Sequence, residues 1–366
     1  LKELKNNILK HHSLCYKKLG MSKKNSSVPR LKDLSSKNKI SLIYSNFRTQ
    51  LDTFVKKKTF LVAVSGGPDS LALSALSHTY LTEKKTKVFF VLVDHGIRAN
   101  SSKEAQNVKN LLKKKKINLI ILKNKKNINK NIQSHAREIR YQLLLNFCKE
   151  YKIKFIMTGH HRDDQIETFL IRLSRGSGVQ GLSSMSKVTS LSKTTKLFRP
   201  LLDEKKEDLI LLAKYYFGKI FEDSSNTNQK YLRTKIRNLI KLFEKSGIKP
   251  ERIINSINNL ASTRDTLNFH IQRIEKKCVI KKNNITSINL NFFLLENTEI
   301  QLKIFSNCIR KVSKTYYPPR AKKVLNLLER VQYNDKLKAT LGGCVIIRHK
   351  KNLIISKEKL KKGTNL

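Results

Sequence analysis

At 366 residues and 39% hydrophobic, the chain can form two domains with a real core, and no run approaches the ~18 apolar residues of a membrane span. Its 76 Lys and Arg against 27 Asp and Glu give a formal charge of +49, which points to a polyanion partner, nucleic acid being the usual one. Lys, Asn and Ile dominate as in a chain written in AT-rich codons, so part of that charge is compositional.

Residues 1–55 are basic, with Glu3, Asp33 and Asp52 the only acids and little periodicity. They read as a poorly ordered extension. An RNA-contacting arm, a targeting segment and an ill-defined gene start are the other readings, since the chain opens on Leu1 and Met21 is internal. From about Lys56 to Asn226, strand and helix patterns alternate. The run 60–64 reads as a buried strand, and Leu71, Leu73, Leu76 and Tyr80 then fit one helix face. Between them stands Ser65-Gly66-Gly67-Pro68-Asp69-Ser70. A strand, a Gly-rich turn and a helix in that order aim backbone N–H groups at a phosphate. The glycines admit close approach and the helix N-terminus adds partial positive charge. Ser65 and Ser70 add hydroxyl donors. The better-known patterns G-x-x-x-x-G-K-S/T and G-x-G-x-x-G are absent.

Further strands are expected at 87–93, 117–122 and 155–158, with helices at 103–114, at 132–151 and from about Asp163. This alternation predicts a doubly wound parallel α/β sheet, whose ligands bind outside the carboxyl ends of the strands. Ser65, Asp94-His95-Gly96 and Gly159-His160-His161 end three of those strands. The segment Val93 to Arg98, with Ser101 and Ser102, is by itself a turn and a helix cap. In Gly159-His160-His161-Arg162-Asp163-Asp164-Gln165-Ile166-Glu167-Thr168 the two Asp complement the helix dipole, and Asp163 and Glu167 share a face. Simple capping, a metal site of His160, Asp164 and Glu167, or a carboxylate pocket for Mg²⁺ or a substrate ammonium all fit. Carboxylates suit a hard cation that also bridges nucleotide phosphates. The loop from Arg172 to Leu182 offers Arg172, Arg175 and three glycines for close approach to phosphate. Arg199-Pro200-Leu201-Leu202, Asp223-Ser224-Ser225-Asn226 and Tyr231 to Arg237, on a helix basic along one side, follow. The five cysteines, Cys15, Cys148, Cys278, Cys308 and Cys344, form no C-x-x-C pair and read as reduced thiols.

The loop Ser65 to Ser70 resembles the pyrophosphate loop, or PP-loop, of the N-type ATP pyrophosphatases, which cleave ATP between its α- and β-phosphates. The clusters in their order resemble the tRNA(Ile)-lysidine synthetase family. Its pattern is SGGxDS, VDHGLR, AR-x-x-RY, GHHxDDQxET, RGSG-x-x-GL, RPLL and SN…RN-x-IR. The matches are Ser65 to Ser70, Val93 to Arg98 with Ile97 replacing Leu, Ala136-Arg137 with Arg140-Tyr141, Gly159 to Thr168, Arg175 to Leu182, Arg199 to Leu202, and Ser225-Asn226. The likeness is dense over roughly residues 58–245 and thin beyond 250, and Thr234 stands where the family has Asn.

The resemblance implies a PP-loop catalytic domain at 56–226 and a mainly helical, basic, tRNA-binding region with a small C-terminal piece at 227–366. It implies an ATP-dependent carbon–nitrogen ligase that joins free L-lysine to the wobble cytidine of an isoleucine tRNA with a CAU anticodon. Ser65, Gly66, Gly67, Pro68, Asp69, Ser70 and His95 would bind ATP. Asp69 would hold Mg²⁺, shared with Asp163 or Asp164. Asp163, Asp164 and Glu167 are candidates to orient the lysine amine, and His160 to contact the activated base or the nucleotide. Arg137, Arg140, Arg175, Gly176, Arg233 and Arg237 are candidates for phosphate, lysine carboxylate or tRNA. A tRNA cytidine thiolase shares the loop but usually carries C-x-x-C pairs. A small-molecule amide synthetase shares it without RGSG-x-x-GL. A soluble reducing compartment is expected, either bacterial cytoplasm or the matrix or stroma of an organelle that encodes the chain.

Overall fold

A computed structural model describes residues 31, 39–97, 100–124, 132–221, 232–282, 285–315 and 318–358. Arg98, Asp223 to Asn226 and Tyr231 lie outside them. The strands of the first sheet are β1 (Phe60–Val64), β2 (Val88–Asp94), β3 (Leu119–Lys123), β4 (Phe155–Met157), β5 (Val188–Ser190) and β6 (Lys196–Phe198). Their order is β3-β2-β1-β4-β6-β5. All neighbours run parallel except β5, which pairs antiparallel with β6 at the edge. Strand order reverses between β1 and β4, so the ligand crevice of such a sheet opens between their carboxyl ends.

Helices cover both faces, as a parallel sheet requires. They are α1 (Lys39–Phe54), α2 (Pro68–Lys84), α3 (Ser101–Lys114), α4 (Ile132–Glu150), α5 (Arg162–Leu173), α6 (Val179–Leu182), α7 (Lys206–Phe217), α8 (Leu232–Lys245) and α9 (Pro250–Cys278). Phe60, Val62 and Val64 point into one core with residues of α1, α2, α3 and α7. Leu61 points the other way, against Phe89, Leu144 and Phe147.

Helix α1 corrects the expectation of a poorly ordered extension over all of residues 1–55. Ile40, Ile43, Tyr44, Phe47 and Leu51 recur at helical spacing, and all are buried. The Tyr44 hydroxyl donates to Glu83 on α2, and Tyr80 Oη donates to Asp52 Oδ1 at 2.8 Å. Polar residues between the apolar positions, Ser41, Ser45, Asn46, Arg48, Thr49 and Gln50, mask that period in the composition.

The chain divides into two compact units between Asn258 and Asn259, inside α9, whereas the sequence reading draws the boundary after Asn226. The second unit continues α9 and adds β7 (Val279–Lys282), β8 (Ile285–Asn289), α10 (Leu290–Phe293), α11 (Thr298–Ser313), α12 (Ala321–Tyr333), β9 (Lys338–Leu341), β10 (Cys344–His349) and β11 (Asn352–Lys357). Its antiparallel sheet, in the order β7-β8-β11-β10-β9, was not expected from sequence. Ile288, Ile346, Leu353 and Ile355 bury one face of it against Phe305, Val324 and Val331. Cys148, Cys278, Cys308 and Cys344 are free and buried, and burial pushes the Cys148 and Cys308 thiols up to about 12. No described helix is long and apolar enough to cross a membrane.

His78 on α2 is buried, with Nδ1 2.7 Å from Tyr216 Oη on α7. Burial pushes its pKa down to about 4. The unfolded chain takes up a proton near pH ~6.5 that the folded chain refuses, so this contribution is full above that pH and shrinks as pH falls. Denaturant titrations of the wild type should lose about 2 kcal/mol more between about pH 7 and pH 5 than those of H78Q. Equal losses would show that His78 does not carry the effect.

Candidate active site

The loop after β1 is held by one hydroxyl. Ser70 Oγ accepts from the N–H groups of Ser65 and Gly66, each at 3.1 Å, and donates to Gly67 O at 2.9 Å. The amides of Ser65 and Gly66, expected to face phosphate, are therefore engaged by Ser70. The first-turn amides of α2 lack intrahelical acceptors and keep the positive end of the helix open to an anion. Gly67 caps α2, and Pro68 sits where its missing N–H costs nothing. Gly66 has φ +90°, and a Cβ on it would lie 2.6 Å from Val108 Cγ2.

A second glycine brings β4 to this loop. A Cβ on Gly159 would lie 2.7 Å from the Asp69 carbonyl oxygen, so only glycine allows this approach. His161 follows two residues later, 2% exposed. Its Nδ1 accepts from Asp163 N–H at 3.2 Å, and its own N–H donates to Asp164 Oδ2 at 3.1 Å, which caps α5. Its Nε2 lies 3.6 Å from Asp69 Oδ2 and 3.6 Å from Asp164 Oδ2. Burial favours the neutral ring, but Asp69 and Asp164 outweigh it and raise the His161 pKa. Burial likewise opposes ionisation of Asp164, yet the His161 and His160 rings, the His161 N–H and Arg233 hold its carboxyl below the usual carboxylate range.

His160 is neutral near pH ~7, because burial, with Arg199, Arg137 and Arg233 nearby, pushes it down to about 4 against the pull of Asp164. Its Nδ1 lies 2.8 Å from Thr158 Oγ1. Arg140 Nε donates to His95 Nε2 at 3.3 Å, so the His95 hydrogen sits on Nδ1, which is buried without a hydrogen-bond partner. Burial and Arg140 push the His95 pKa down. Arg137 lies over the Tyr141 ring at 5.0 Å.

Other expected site residues have structural partners. Glu167 is buried, and its Oε1 accepts from Arg237 Nε at 2.6 Å, with Arg233 Nε 4.0 Å from Oε2. These three groups link α5 to α8 beside Ile166, Leu170 and Ile236. Arg172 Nη1 donates to the carbonyls of Gly181 and Ser184, and the Gln165 amide pairs with both backbone groups of Met185. Arg199 Nη1 donates to Ser186 O and Thr189 Oγ1. Arg175 and Gly176 remain exposed on the clasped loop.

Asp69 Oδ1 is buried without a hydrogen-bond partner, and Asp69 and Asp164 flank one imidazole nitrogen. Among the described residues no three His, Cys, Asp or Glu side chains form a ready metal cage. This donor set fits Mg²⁺, which commonly uses one or two carboxylates together with substrate phosphates. Asp163 enters this cluster through its backbone N–H, which His161 Nδ1 accepts.

The sequence reading missed Gly159 and His161 as site-building residues. The signal for His161 was its place just before the Asp163-Asp164 turn, where an N-cap belongs, although His is not a standard cap. G159A is expected to cost about 1–3 kcal/mol by overpacking and to weaken ATP binding. G178A, at a negative φ with open space around it, should do neither. Denaturation and ATP titration of both variants check this.

A family model described as a PP-loop domain matches residues 36–243. The tRNA(Ile)-lysidine synthase of Wolbachia pipientis wMel is 36% identical over 302 residues, covering 81% of this chain and 70% of that protein. That of Rickettsia typhi is 32% identical over 325 residues, covering 87% and 74%. Among solved structures, the tRNA thiolase NcsA of Methanococcus maripaludis superposes with a TM-score of 0.52 at 20% identity, over 61% of this chain and 78% of that one, a likeness of fold. With its pyrophosphate loop on the rim between β1 and β4, and with these relatives along most of its length, the chain belongs to the tRNA(Ile)-lysidine synthase family of PP-loop proteins.

Proposed function

We propose that the chain modifies tRNA by joining L-lysine to C2 of the wobble cytidine in the CAU anticodon of an isoleucine tRNA, with ATP as co-substrate. Membership of the family carries this reading. The convergence of the phosphate loop with Asp69, Asp164 and His160 on one rim supports it. In the first step the cytosine O2 attacks the α-phosphorus of ATP and pyrophosphate leaves. In the second, the lysine amine attacks C2, AMP leaves, and the amine gives up a proton.

Named residues fit these needs. The first-turn amides of α2 face the charge that builds on the departing pyrophosphate. Mg²⁺, bound by Asp69 with Asp164, would supply further positive charge at the phosphates. Asp163 and Asp164 carry negative charge that can orient the lysine ammonium and take its proton. Glu167 suits that role less, since Arg237 already neutralises it. Neutral His160 can hydrogen-bond the base without adding charge. Arg137, Arg140 and exposed Arg175 are suited to phosphate or to the lysine carboxylate. Arg233 and Arg237 serve Glu167 first, so a tRNA contact by them would compete with that pairing. The basic C-terminal unit grips tRNA phosphates, which makes binding salt-dependent. The bacterial relatives favour bacterial cytoplasm over an organelle.

Transfer of labelled lysine to tRNA(Ile) bearing a CAU anticodon tests this directly. Label should enter the tRNA only with ATP present, and D69A should lower the rate at least about a hundredfold. Pyrophosphate release with a different acceptor and no lysine transfer would move the chain to a sister activity.

A further inference from the structure

We infer that His161 is a positioning residue that couples Asp69, on the loop after β1, to Asp164, on α5. The inference deepens the function proposed above and rests on it for the roles of the two carboxylates. It starts from what a cap requires. Ser, Thr, Asp or Asn can accept a first-turn N–H, and any of them would serve α5. A histidine there does something they cannot, because it carries a second nitrogen about 2 Å beyond the first.

The ring is anchored at Nδ1 and flanked by carboxylates at Nε2. Nδ1 accepts from Asp163 N–H at 3.2 Å, so it bears no hydrogen in the capped state, and the hydrogen lies on Nε2. Nε2 faces Asp69 Oδ2 and Asp164 Oδ2, each at 3.6 Å. The Asp164 carboxylate is pinned a second time by the His161 backbone N–H at 3.1 Å. The side chain is 3% exposed, so water does not reach around it to do the same work. The bridge spans the crevice between the carboxyl ends of β1 and β4, where the nucleotide loop meets the carboxylate helix. Without a donor between them, two carboxylates that flank one point repel each other and move apart. His161 thus sets the distance between the group that faces the nucleotide and the group that faces the amine.

The test separates capping from coupling. H161N keeps a capping acceptor and loses Nε2. H161Q carries an amide N–H that reaches toward the Nε2 position. H161N should melt close to wild type, bind Mg–ATP about tenfold more weakly and transfer lysine about tenfold more slowly, with the KM for tRNA unchanged. H161Q should recover part of both losses. Mg–ATP binding is measured without tRNA or lysine, so it reads the coupling even if the wild type transfers no lysine and the proposed function fails. A folded H161N with wild-type ATP binding and turnover overturns the inference. If H161N does not fold, ¹⁵N spectra of the wild-type histidines in mildly alkaline buffer decide. An Nε2–H tautomer at His161, with a shift that moves on adding Mg–ATP, supports it. An Nδ1–H tautomer or an unmoved signal overturns it.

Discussion

The backbone approach of Gly159 to Asp69 is the constraint on which this site depends. A single added methyl group would meet a carbonyl oxygen at 2.7 Å, and neither partner is a flexible side chain that could yield. Because the end of β4 rides directly on the phosphate loop, the residues that follow each strand are delivered to the same few ångströms. Ser70 closes the loop from below, and His161 spans it from the side. The site is thus positioned by main chain first and by side chains second.

Electrostatics at the rim run against the bulk of the molecule. A chain of formal charge +49 keeps Asp69 and Asp164 on either side of one imidazole nitrogen at the crevice. Some of the basic groups nearby are engaged locally. Arg237 is taken by Glu167, Arg172 by two carbonyls of its own loop, and His160 is kept neutral by burial. The outcome is a pair of carboxylates in a strongly basic chain, a setting that suits a cation or an amine while the rest of the molecule attracts a polyanion.

The parallel sheet and its phosphate loop were legible because both rest on local signals, namely apolar runs, glycines and a helix start. The rim position of Asp94, His95 and Gly159 to His161 followed from the sheet rule alone. Helix α1 was hidden because the Lys- and Ser-rich composition of residues 1–55 as a whole outweighed the apolar spacing within 39–54. The second sheet was hidden because its strands are four to six residues long and carry at most two buried positions each, too few for an alternating pattern to stand out. The pairing of Glu167 with Arg237 joins residues 70 apart, and no local pattern announces it. Arg172 looks like a phosphate ligand in sequence because charge is visible there while a buried carbonyl partner is not. His161 was passed over for its neighbour because the two histidines differ only in the direction each ring takes from the strand end.

The interior thiols have a consequence for how the molecule ages. In the native chain Cys278 and Cys308 are held almost wholly protonated, at about 11 and about 12, and are shut away from oxidants. Once unfolded, they regain ordinary acidity and reactivity. Each excursion out of the native state then risks oxidation of thiols that the folded core keeps protected, so oxidation acts as a ratchet. Under oxidising conditions, survival of the C-terminal unit is governed by its opening rate rather than by its equilibrium stability.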